Sequence, residues 1–180
     1  VTVEPPHVAL IGMMGAGKSV VARALALRLH TRAVDLDDEV VRDTGRSIPN
    51  LFAERGDAGF RDAETAALRE VLGHDEPVVL ATGGGVVLRA DNVAVLRSRA
   101  VVVWLDSDVT TLAQRVGDGT GRPLLAGDPV GRLRVLDAER RPHYAAAAHL
   151  VVRVDGIDIT RVADNIQQLL TQHRDIEVSA

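Results

Sequence analysis

The chain has 180 residues, 46% of them hydrophobic but only 2% aromatic, and a formal net charge of −4. One domain is expected from this length, with a core built mostly of Val, Leu, Ile and Ala. The charge gives no basis for a nucleic-acid partner, the absence of cysteine excludes disulfides and thiolate metal sites, and no apolar run reaches the roughly 18 residues of a membrane-spanning helix.

Residues 1–6 read as a loose leader without the basic-then-apolar pattern of a signal peptide, so a cytoplasmic location is expected. His7–Ile11 is a short apolar run and reads as a buried strand. It leads into Gly12-Met13-Met14-Gly15-Ala16-Gly17-Lys18-Ser19, which fits the phosphate-binding pattern G-x-x-x-x-G-K-[ST] at every fixed position. A helix is expected from about Gly17 to Leu29, then a short strand at Ala33–Asp35 and a helix opening on the acids of Leu36-Asp37-Asp38-Glu39. Ser47 is placed to cap a short helix that Gly56 ends, and Asp57 to cap the next one, to about Leu72. Val78–Ala81 is a fully apolar strand followed at once by Gly83-Gly84-Gly85.

A helix over about 91–98 leads to a strand at Ala100–Leu105, and Asp106-Ser107-Asp108 is placed to cap a helix to about Val116. Residues 117–129, rich in glycine, read as a mobile loop. A long helix over 130–147, interrupted or kinked near Pro142, a strand at Leu150–Val154, a helix over 159–173 and a disordered tail complete the chain. The six histidines, at 7, 30, 74, 143, 149 and 173, lack metal-ligand spacing and read as surface or helix-end residues. Five apolar strands alternating with helices predict an α/β fold with a parallel sheet covered on both faces. Ligands of such sheets gather at the carboxyl ends of the strands. Residues 12–19, Asp35, Gly83–Gly85 and the loop at 117–129 all fall there, which predicts one site built from distant segments.

In the 12–19 loop, backbone N–H groups can cradle a polyphosphate at the positive end of the following helix, Lys18 can reach its outer phosphates, and the Ser19 hydroxyl can ligate Mg²⁺. Asp35, at a strand end beside that loop, can hold Mg²⁺ through water, and Asp37 can orient an acceptor hydroxyl and take its proton. The competing reading is that these acids only cap a helix. The three glycines offer backbone N–H groups to a ligand, against the plainer alternative of a tight turn. Glu64, three residues from Arg61 on one helix face, can fix the guanidinium for a carboxylate, although an ordinary surface pair has the same spacing. Arg122 in the loop can close onto a transferring phosphoryl group. Of the neighbours Arg140 and Arg141, one can face the site.

With these residues in place the chain resembles the shikimate kinase family, among the nucleoside-monophosphate-kinase-like P-loop kinases. The likeness runs from about His7 to Leu170. It rests on Gly12–Ser19, Asp35-Leu36-Asp37, Thr44-Gly45-Arg46-Ser47-Ile48 with Leu51-Phe52 and Gly56, Phe60-Arg61 with Glu64, Gly83–Gly85, Arg122-Pro123-Leu124-Leu125, and Arg140 ahead of Pro142 and Tyr144. The resemblance implies a three-layer P-loop kinase fold over residues 1–180, with a core of about 7–173, a five-stranded parallel sheet, a lid at about 117–129 and a substrate-binding helical region at about 36–72. It implies ATP-dependent phosphorylation of the shikimate 3-hydroxyl, with ATP and Mg²⁺ required and a monomer expected.

By the same resemblance, Ser19 and Asp35 form the metal site, Lys18, Asp37 and Arg122 are catalytic, and Asp37, Arg61 and Arg140 bind shikimate. Gly83, Gly84, Gly85, Phe52, Phe60 and Glu64 complete the shikimate pocket. The nucleotide falls to Gly12, Gly15, Ala16, Gly17, Lys18, Ser19, Val20, Arg115 and Arg122. Val20 replaces a usual hydroxyl residue, the segment Val154–Asp158 lacks the Arg and Pro often found in the family's adenine loop, and Ala145–Ala148 is less polar than usual. Two alternatives remain: a kinase of another hydroxy acid such as gluconate, and a nucleotide-binding regulator without catalysis.

Overall fold

The computed structural model describes residues 7–120 and 123–178. Five parallel strands, β1 (His7–Ile11), β2 (Arg32–Asp35), β3 (Val78–Ala81), β4 (Ala100–Asp106) and β5 (Leu150–Arg153), form one sheet in the order β2-β3-β1-β4-β5. Leu10 pairs with Ala81 on one side and Val103 on the other. β1 and β3 are buried along their whole length and β4 along nearly all of it, as unbroken apolar runs in a covered parallel sheet must be. The edge strands β2 and β5 each bury a single residue, Val34 and Val152.

Seven helices join the strands: α1 (Lys18–Arg28), α2 (Leu36–Thr44), α3 (Ile48–Gly73), α4 (Ala90–Arg99), α5 (Val109–Val116), α6 (Pro129–Ala147) and α7 (Ile159–Val178). The β1–β2 and β3–β4 connections cross the sheet in opposite directions. Right-handed crossovers therefore put α1 on one face and α4 on the other. α7 packs on α1, and α6 packs with α4 and β4. This is the expected three-layer α/β architecture with its core on both sides of the sheet.

Most local expectations hold. The break at Gly56 lies inside α3, where φ 66° and ψ −173° interrupt the helix. Ser47 caps the segment before it by accepting the Asn50 N–H. Other expectations change. α6 is not interrupted at Pro142. α7 continues helically to Val178, through residues expected to be a disordered tail. Asp108 stands at the N-cap of α5 without a side-chain capping bond. His7 is not a surface residue: its Nε2 donates to the His74 carbonyl at 2.9 Å and its Nδ1 accepts the Val78 N–H at 3.2 Å, tying β1 to the start of β3. His149 likewise accepts the Val102 N–H through Nδ1.

Candidate active site

The sheet order sets the carboxyl ends of β2, β3 and β1 side by side, and with them Asp35, the Gly83–Gly85 turn and the 12–19 loop. Two clefts open there. One is lined by Gly15, Gly17, Lys18, Ser19, Val20 and Arg115 together with Asp35 and Thr82. The other is lined by Phe52, Phe60, Arg61, Glu64, Gly85 and Arg140, together with Ile48 and Leu124. Met14, Asp37, Gly83 and Gly84 line both, so they form the wall that the clefts share.

In the first cleft α1 starts straight from the loop, with Gly17 at its N-cap in a left-handed conformation that a side chain would strain. The buried Lys18 donates to the Gly12 and Met13 carbonyls at 2.7 and 2.9 Å, which folds the loop around its ammonium. Gly12 and Ala16 do not line this cleft, and Ala16 faces an adjoining apolar pocket with Val20 and Arg115. Arg115 reaches back from α5 to the Gly15 and Val154 carbonyls, each at 3.3 Å. The Ser19 hydroxyl donates to Asp35 Oδ2 at 2.5 Å. Asp35 Oδ1 accepts the Asp37 N–H at 3.1 Å, so the same carboxylate also caps α2. Asp35 therefore caps the helix with one oxygen and contacts Ser19 with the other. A hydroxyl and a carboxylate in contact are hard oxygen donors that suit Mg²⁺, which needs few protein ligands when phosphates and water supply the rest. Among the described residues no cluster of three His, Cys, Asp or Glu side chains offers a metal cage.

The second cleft is cationic at its base and aromatic at its side. Arg61 and Glu64 are both buried and meet at 2.6 Å, so this i,i+3 pair is no surface ornament. Asp57 stands 3.5 Å from Arg61 Nε. Phe52 and Phe60 stack with centroids 4.6 Å apart, and the Arg61 guanidinium lies 4.9 Å from the Phe60 ring centroid. Arg140 is only 3% exposed and lines the cleft. Arg141 turns away to Asp106 and Asp137 at 2.8 and 3.2 Å and lies over Trp104. Burial pushes the Glu64 carboxyl up, against the pull of Arg61. Asp37 Oδ1 is buried and has no hydrogen-bond partner among the described residues. Burial, then repulsion from Asp35, raises the Asp37 carboxyl, with Lys18 and Arg61 opposing.

The three glycines differ in what they allow. None has positive φ, so a turn does not require them. A Cβ on Gly83 would collide with Glu64 Oε1 and one on Gly85 with the Arg61 guanidinium, while Gly84 would meet Arg140 Nη1 and the Met14 N–H at 3.4 Å. At Gly83 and Gly85 the missing side chain lets backbone lie directly on the buried ion pair. Tyr144, not singled out for the site from the sequence, is fully buried and donates its hydroxyl to the Gly84 carbonyl. Burial raises that hydroxyl's pKa. Met14, Ile48 and Leu124 were also missed. Ile48 carried a signal, as an apolar residue directly after a capping serine. Arg122 lies outside the described residues.

The shikimate kinase family model matches residues 14–171. A shikimate kinase of Symbiobacterium thermophilum is 43% identical over 169 residues, covering 92% of this chain and 97% of that one. The solved structure of shikimate kinase from Acinetobacter baumannii in complex with shikimate matches with a TM-score of 0.91 at 37% identity, over 94% of this chain and 95% of that one. A gluconokinase from Sinorhizobium meliloti matches with a TM-score of 0.61 at 20% identity, over 94% of this chain and 96% of that one, a likeness of fold alone.

Proposed function

The chain belongs to the shikimate kinase family, and from that premise we propose how its residues divide the work between the two clefts. The protein phosphorylates shikimate with ATP, and Mg²⁺ is required. The observation that carries the division is the shared wall: Asp37 lines both a phosphate-loop cleft and a cleft holding two buried arginines. A donor phosphate and an acceptor hydroxyl brought from either side meet at its carboxylate.

The acceptor's carboxylate is held by Arg61 and Arg140, its ring lies between Phe52, Phe60 and the Gly84–Gly85 backbone, and Glu64 keeps Arg61 in place. Asp37 orients the 3-hydroxyl and takes its proton as the oxygen attacks the γ-phosphorus. The bond from that phosphorus to the bridging oxygen breaks, giving shikimate 3-phosphate and ADP. The unpartnered Asp37 oxygen and its raised pKa support this, because a carboxylate poised to accept a proton is more basic than an ordinary one. Gly12–Ser19 cradle the phosphates, and Lys18 with Arg122 of the 117–129 lid neutralises charge on the transferred group. Ser19 and, through water, Asp35 would hold Mg²⁺, which supplies further neutralisation of the phosphates. The base lies against Arg115.

The protein acts as a single-domain monomer in the cytoplasm without a nucleic-acid partner; no helix among the described residues is long and apolar enough to cross a membrane. A coupled ADP-release assay with shikimate and with gluconate tests the acceptor. Turnover with shikimate alone is expected. Turnover with gluconate alone overturns the acceptor reading, and ATP binding without turnover of either points to the regulator.

A further inference from the structure

α5 and the loop after β5 are fastened together by a carboxylate that the reaction does not use. α5 needs partners for the N–H groups of its first turn, and Asp108 at its own N-cap supplies none from its side chain. Asp155 reaches this end of the helix from another element and accepts the N–H of the N-cap residue. Its Oδ1 accepts the Ser107 hydroxyl at 2.6 Å and the Asp108 N–H at 3.1 Å. Its Oδ2 pairs with Arg153 Nε at 2.8 Å. Burial opposes this charge, yet the bonds from Ser107 and the Asp108 N–H, with Arg153 nearby, hold the carboxyl below its ordinary range. The negative charge also complements the positive end of α5.

The two elements so joined both line the apolar pocket beside the phosphate loop. Arg115, in the last turn of α5, lines it from one element, and Val154 and Ile157, on either side of Asp155, line it from the other. At its far end α5 is tied to the same loop by Arg115 Nη2 on the Val154 carbonyl. Both ends of the helix are therefore bonded to one loop, Arg153 of β5 adds an ion pair to Asp108 at 2.7 Å, and these bonds constrain the spacing of the residues lining the pocket. A flat base slotted between them is sensitive to that spacing, since a misplacement of about 1 Å is costly for a positioned ligand. We infer that Asp155 is a positioning residue for the nucleotide base, locking α5 to the β5–α7 loop so that Arg115 and Ile157 keep a fixed gap, an assignment that rests on reading the Arg115 pocket as the base subsite.

The test compares ADP with tripolyphosphate, which carries the phosphates and no base. In Asp155→Ala, calorimetric affinity for ADP should fall about 2- to 30-fold, the usual range of coupling through a packed element. Affinity for tripolyphosphate and KM for shikimate should hold. Equal losses of ADP and tripolyphosphate, or no loss of ADP affinity, overturn the assignment. Should urea unfolding show that Asp155→Ala does not fold, Asp155→Asn, which keeps an acceptor oxygen and loses the Arg153 ion pair, must show a smaller loss confined to ADP, and an unchanged ratio again overturns it. Arg115→Ala separates the two levels. If it too leaves the ratio of ADP to tripolyphosphate affinity unchanged, the base subsite lies elsewhere; if only Arg115→Ala changes the ratio, the base reading stands and the role of Asp155 falls.

Discussion

Asp37 carries the sharpest consequence at the scale of single residues. Its carboxyl is raised by burial and by Asp35, so the folded protein holds that proton more tightly than the unfolded chain does. The sign then follows: the ionised form costs stability at pH values above the folded pKa, and the cost fades as pH falls through it. Asp37→Asn removes the charge and should raise the urea midpoint at neutral pH while lowering kcat about 10²- to 10⁴-fold, the usual worth of a positioned general base. ADP affinity should stay near that of the parent. In the parent, kcat/KM should fall with acid on a limb above the ordinary carboxylate range, because that ratio reports the enzyme before the complex forms, and a limb at the ordinary value would remove Asp37 from the proton transfer. Glu64 behaves differently because it is paired. Glu64→Ala strands the buried Arg61 and should destabilise the fold by about 3–5 kcal/mol in urea unfolding. The Arg61–Glu64 spacing was visible in the sequence, but its burial was not. Burial comes from the Gly83–Gly85 backbone laid on top of the pair, a contact between segments that local periodicity cannot report.

Breaks and caps decide how the helices serve the site. Gly56 divides α3 into a short segment bearing Ile48 and Phe52 and a long one bearing Phe60, Arg61 and Glu64, so it sets the angle between the cleft's two aromatic contributors. Its φ 66° and ψ −173° belong to a region that side chains avoid, and a Cβ there meets nothing within 4 Å. The cost of Gly56→Ala is therefore backbone strain alone, about 1–3 kcal/mol if the angle is kept. If the segment re-angles to relieve it, KM for shikimate rises while KM for ATP does not. Steady-state kinetics beside urea unfolding distinguish the two, and an unaltered protein on both counts would show that the break has no role. This break and the Ser47 cap were legible because both are written within a few residues. The cap of α5 was not, because Asp155 lies 47 residues from the N–H it accepts, and the acids beside that helix were the natural but wrong candidates. Pro142 misled in the other direction: α6 continues past it, held by flanking contacts that include the fully buried Tyr144.

Across the whole molecule the sheet order does what no segment can. The motifs were each readable, and their placement at strand ends followed from the parallel α/β pattern. Which strands adjoin was not readable, because β3 enters between β1 and β2 only through long-range pairing. That insertion brings Gly83–Gly85 between the phosphate loop and Asp35 and makes one wall serve two clefts. The clefts still draw on largely separate residues, so their ligands should stabilise the fold separately. A ligand that binds only the folded state adds about 2.7 kcal/mol at 100 times its dissociation constant. ADP with Mg²⁺ and shikimate, each at such a concentration, should each shift the urea midpoint by a comparable step. Arg61→Ala, at the same concentrations, should erase the shikimate step and leave the ADP step in place. Arg61 touches the acceptor cleft and its own ion-pair partners but does not line the phosphate-loop cleft. Loss of both steps would mean that Arg61 holds the shared wall itself, and the division of labour between the clefts would have to be redrawn around the Arg61–Glu64 pair.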